Sequence, residues 1–99
     1  MKYTINNFRL KVMDCIDGQI TSNKLGDWAY DAWFYYTEGK GKNDKTDRHL
    51  IDLLLDASSE WGHISVQGFD KFDKGYLQNL LGRIENYMNV EHQDNETLI

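Results

Sequence analysis

The chain has 99 residues, 40% of them hydrophobic and 13% aromatic, and a formal net charge of −5. That length makes one domain, large enough to bury a core without staples, and the apolar content excludes intrinsic disorder. With 11 basic residues against 16 acidic ones, the clustered Lys and Arg that phosphate-backbone binding requires are missing, so a basic protein is the more natural partner.

A 3.6-residue apolar period recurs in four places, there is no proline, and no alternating strand pattern has convincing length. Helix one is expected from about Thr4 to Asp17, with Ile5, Phe8, Val12, Cys15 and Ile16 inward and Gly18 as its stop. Thr21 or Ser22 can cap helix two, because a side-chain oxygen there satisfies an orphan backbone N–H. Leu25, Trp28, Ala29, Ala32, Trp33 and Tyr36 then form a wide core stripe that ends at Gly39. The polar, locally basic loop "GKGKNDKT" covers residues 39–46.

Helix three is expected from about Asp47 to Trp61, with Leu50, Leu54, Ala57, Ser58 and Trp61 inward and an acidic start that suits the helix dipole. Residues 62–72, "GHISVQGFDKF", read either as a short extended piece at His63–Val66 between Gly62 and Gly68, or as an ordered loop. Asp73 caps helix four, whose stripe is Leu77, Leu80, Leu81, Ile84 and Met88. The fold class is therefore all-α, an antiparallel bundle of about four helices with a short irregular or extended segment at 62–72. Residues 1–90 make the domain, and the polar 91–99 is expected to be a flexible tail.

No apolar run approaches the roughly 18 residues of a membrane span, so no membrane partner is expected. The N-terminal "MKYTINNFRLK" lacks a secretory apolar region. Cys15 is the single cysteine, which excludes an internal disulfide and suits a reducing cytoplasm.

Helix two carries a second pattern. Asp27, Tyr30, Asp31, Phe34 and Glu38 share the face opposite the core stripe. Asp27 and Asp31 repel at i, i+4, and a bare Phe34 costs hydration, so local stability gives no reason for this face. Acid beside aromatic suits an interface, unless another helix or the 62–72 segment covers Tyr30 and Phe34. Helix three repeats the theme in Asp52, Asp56 and Glu60. These are either a solvated outer face or part of one electronegative surface with helix two, which would speed association with a basic partner.

Catalytic and metal signatures are missing. His49 and Asp52 sit at i, i+3 with no nucleophile marked nearby, and "GHISVQG" is not a G-x-S-x-G elbow. "GKGKNDKTD" lacks the order of a phosphate-binding loop. Cys15, His49, His63 and His92 have no metal-ligand spacing, and Cys15 reads as an inert small residue of the apolar stripe. No catalytic residue, metal or cofactor is assigned.

The stretch "IDGQITSNKLGDWAYDAW", residues 16–33, resembles the opening of small bacterial immunity proteins of polymorphic and contact-dependent growth inhibition toxin systems. Gly18, Ile20, Thr21, Trp28 and Ala29 carry the likeness, and "HLIDLLLDA" and "GYLQNLLGRIENYM" are similar in style. These residues read as turn, cap and core, so the resemblance carries over no contact site. It implies a cytoplasmic, non-catalytic inhibitor of one cognate toxin, often a nuclease with a basic cleft. A shorter stretch, "LGRIENYMN" at residues 81–89, resembles the closing helix of a small phage anti-CRISPR protein. An acidic phage inhibitor of a host defence complex is therefore the alternative. In the favoured reading Asp27, Tyr30, Asp31, Phe34 and Glu38 meet the toxin, with Asp52, Asp56 and Glu60 as electrostatic support. The sequence leaves the oligomeric state open.

Overall fold

The computed structural model describes residues 3–42 and 47–97, with side chains described as far as Asn89. These residues form four α-helices and no strand: α1 (Ile5–Ile16), α2 (Ser22–Thr37), α3 (Arg48–Val66) and α4 (Lys74–Thr97). The all-α expectation is met. Residues 43–46 of the basic loop and 98–99 of the expected tail lie outside the described residues, while α4 extends to Thr97.

Each boundary has a local cause. The Thr4 hydroxyl accepts the Asn7 N–H at 3.1 Å and starts α1. Between the two candidate caps of α2, Thr21 takes the role, accepting the Lys24 N–H at 3.1 Å. Asp47 is the N-cap of α3 and not part of an acidic first turn, with its carboxylate accepting the His49 N–H at 2.8 Å. Asp73 receives the Tyr76 N–H at 3.2 Å at the start of α4.

The C-termini of α1 and α3 close in the same way. Gly18 and Gly68 take φ +81° and +93°, a left-handed region that glycine enters at least cost. Their N–H groups donate to Cys15 and Ser65, while Gln19 and Phe69 donate back to Asp14 and Ile64. This paired closure satisfies two carbonyls that the helix end would otherwise leave orphaned.

Residues 62–72 depart from expectation. His63–Val66 is neither extended nor a loop, but the last turn of α3. Gly62 costs a helix interior about 1 kcal/mol relative to Ala. Ile64 packs against the core and Ser65 Oγ donates to the Gly62 carbonyl at 3.2 Å, which holds the helix through it. The irregular part is reduced to the short connection before α4.

The helices form a ring. α2 packs most extensively on α3 and α1 on α4, with lesser contacts between α1 and α2 and between α3 and α4. Phe8, Val12, Leu25, Leu54, Leu80 and Ile84 are the largest fully buried side chains, one or two from each helix. Gly26 brings α2 against α3 so closely that a Cβ there would overlap the Trp61 side chain. Ser22, the second candidate cap, is instead buried, and its Oγ accepts the Phe72 N–H at 2.8 Å.

Two substitutions probe this packing. Gly26→Ala gains about 1 kcal/mol of intrinsic helix propensity yet should lose roughly 1–3 kcal/mol net through the clash with Trp61. Urea unfolding reads the sign, and a stabilised variant would show that Trp61 moves away freely. Leu54→Ala should cost about 2–5 kcal/mol in the same assay.

Candidate partner-binding surface

α2 lies with its small residues inward. Leu25, Ala29 and Ala32 are buried, and the larger Trp28, Trp33 and Tyr36 pack around them only partly buried. Trp28 lies at 5.7 Å from Phe8 and 5.6 Å from Tyr3, ring centre to ring centre. Its indole is therefore a shoulder against α1 and not a fully enclosed core group.

The outer face of α2 is uncovered. Tyr30 is 50% exposed and Phe34 46% exposed. Their rings stack on each other at 6.3 Å, and Tyr30 also meets Trp33 at 5.9 Å. Neither another helix nor residues 62–72 hides them. Asp27, Asp31 and Glu38 are exposed beside them, and none forms an ion pair with a described basic side chain.

The α3 acids behave differently. Asp52 is exposed and approaches Arg48 at 3.8 Å, one turn away. Asp56 is bound into the protein: the Tyr76 hydroxyl donates to Oδ1 at 2.7 Å and Arg83 Nη1 donates to Oδ2 at 2.8 Å. Burial pushes the Asp56 carboxyl up, but these two donors and the guanidinium charge outweigh it and hold it below the ordinary carboxylate range. Burial first, then the bond to Asp56, raises the Tyr76 phenol far above its usual value, with the half-buried Glu60 contributing negative charge.

Both partners of Asp56 belong to α4, whereas α2 packs on α3 and α1. The single electronegative surface spanning α2 and α3 is therefore not formed with Asp56 in it. The reason is tertiary: Asp56 is engaged by Tyr76 and Arg83 of α4, while Asp52 stays exposed. Sequence reasoning missed Leu55, which lies 41% exposed on the outer side of α3. Its signal was an apolar residue interrupting a polar face. Arg83 was missed too, since nothing within α4 announces a partner on α3.

The titratable and nucleophilic candidates are scattered. The His49 ring lies 6.1 Å from Tyr87, and His63 meets Gln67 at 3.2 Å. His92 lies beyond the described side chains. Cys15 contacts the Ser22 hydroxyl at 3.8 Å, and burial raises its thiol above the ordinary value, which disfavours the nucleophilic thiolate. No group of three or more His, Cys, Asp or Glu able to hold a metal ion occurs among the described residues. No helix among them is long and apolar enough to cross a membrane.

Two depressions flank α2. One of about 440 Å³ lies between α1 and α2, lined by Asn7, Leu10, Lys11, Asp14 and Trp28. The other, about 600 Å³, lies where the α1–α2 turn meets the segment before α4, with Cys15, Ser22 and Phe72 among its walls.

No family model matches the chain, and neither the curated proteins nor the solved structures provide a match. The surface is read from its own chemistry.

The Asp56 pairing sets a pH dependence. A carboxyl whose folded value is depressed contributes stability that is present above the unfolded value, near 3.8, and lost as pH falls through the folded one. Asp56→Asn should cost about 1 kcal/mol at pH 7, reduced from a buried charged pair by its partial exposure. It should also flatten the loss of stability between pH 5 and 2, within roughly the carboxylate titration range. Thermal melts across that range would show an unchanged slope if the pairing were inconsequential.

Proposed function

We propose that this chain is a non-catalytic cytoplasmic binding protein of the immunity type, which neutralises a cognate bacterial toxin by covering a basic active-site or substrate groove. The observation that carries the reading is the outer face of α2. There Tyr30 and Phe34 stack while half exposed, next to Asp27 and Asp31, which have no described cationic partner. A helix gains nothing locally from that arrangement. A partner would cover the two rings, desolvate them and meet the carboxylates with Lys or Arg. Tyr30 and Phe34 supply contact area, the carboxylates supply orientation and association rate, and Glu38, at the C-cap of α2, extends the acidic edge. Asp52 adds long-range attraction only, and Asp56 is occupied within the fold.

The test is affinity capture from host lysate at low salt, followed by calorimetry with the retained protein and an assay of its activity. A basic partner bound 1:1 and inhibited on binding is expected. Asp27→Lys with Asp31→Lys should weaken that complex by about 100-fold through like-charge repulsion, while unfolding free energy stays within roughly 0.5 kcal/mol. An unchanged dissociation constant places the contact elsewhere. Capture of a multi-subunit nucleic-acid-handling complex in place of a single basic protein would move the chain to the phage-inhibitor alternative.

A further inference from the structure

The outer face of α2 is two-sided. Gly26 packs on Trp61 of α3, whereas Trp28 packs on Phe8 of α1. At 100° per residue these two directions are about 160° apart on the helix. The aromatic residues lean one way and the acids the other. Tyr30 lies about 40° from the Gly26 direction and Phe34 about 80°, on the side of α3, a helix on which Leu55 is exposed, while Asp31 lies about 60° from Trp28 on the α1 side. On that acid side the α1–α2 cleft of about 440 Å³ opens, with Trp28 and Leu10 in its wall and Asp14 and Lys11 at its edge.

Resting on the inhibitor reading above, we propose that the partner meets α2 as one amphipathic segment. Its apolar residues cover Tyr30, Phe34 and Leu55, and a lysine or arginine side chain lies in the α1–α2 cleft. The chemistry fits that occupant. A long basic side chain buries its aliphatic stem on apolar surface while its head stays wet. Here the stem lies along Leu10, the indole face of Trp28 attracts the cation, and the head reaches Asp14, with Asp31 adding attraction from the same side of α2. Lys11 limits the cleft to one cation. The charge of the chain, −5, opposes a second copy as occupant.

The probe is a helical peptide with leucines at i, i+3, i+4 and i+7 and arginines along one flank, titrated into isotopically labelled protein. A matched peptide carries citrulline in place of arginine. Amide shifts are expected at residues 27–34, at Leu55 and at residues 10–14. The Trp28 indole N–H should move with the arginine peptide and stay still with the citrulline one. Asp31→Asn should weaken the arginine peptide roughly two- to fivefold, the range of an exposed pair, and leave the citrulline peptide unaffected. Phe34→Ala should weaken both. Equal affinity of the two peptides, shifts confined to another face, or no shift at millimolar peptide overturns the proposal. Concentration-dependent shifts without peptide also overturn it, and make a second copy the occupant. If the peptide fails while the captured partner still responds to Asp27→Lys with Asp31→Lys, only the two-sided placement falls. If the peptide maps as expected and no partner is inhibited, only the inhibitor reading falls.

Discussion

The small inward face of α2 governs the arrangement around it. Ala29 and Ala32 are fully buried, and Gly26 lets the backbone of α2 lie against Trp61. A helix drawn in this far has room for large side chains only at its edges. Trp28 settles on α1, Trp33 stays partly buried at the opposite edge, and Tyr30 and Phe34 remain outside. Both neighbours of α2 are already engaged at its edges, so no described element of the chain is left to cover those two rings. Their exposure follows from the packing.

Polar contacts secure what apolar packing leaves thin. α3 and α4 share far less contact than α2 and α3, and there Asp56, Tyr76 and Arg83 bridge the gap. Ser22 does comparable work at the other end, where its buried hydroxyl holds the Phe72 N–H and brings the chain before α4 onto the start of α2. Phe72 is thereby set 5.5 Å from both Trp61 and Tyr76. The acids of this protein thus divide by neighbour. Asp56 serves the fold, whereas Asp27 and Asp31 have no described cation to serve.

Much of this was legible in the sequence, and the rest fails for definite reasons. The four apolar stripes and the stop at Gly18 are local matters of period and turn chemistry, so they could be read directly, whereas Gly68, expected to bound an extended piece, closes α3 instead. The last turn of α3 could not be read directly, because Gly62 resembles a boundary and only the packing of Ile64 overrules it. Choosing Thr21 over Ser22 as cap depended on Phe72, fifty residues away. The exposure of Tyr30 and Phe34 was an open alternative, decided by which helices flank α2. The duty of Asp56 was invisible, since a solvated acid stripe and one turned towards an arginine on another helix have the same spacing.

The pairing of α1 with α4 also orders events in time. The main packing surface of the first helix is supplied by the last, and Arg9 meets Glu85 across 76 positions at 3.1 Å. α2 and α3, which follow each other in the chain, can close on each other early, because nearby segments pay less loop entropy. During synthesis α1 therefore waits with Phe8 and Val12 incompletely covered until α4 has left the ribosome. The bundle closes only once α4 is available, and a chain stopped before α4 would carry an open apolar seam that invites aggregation.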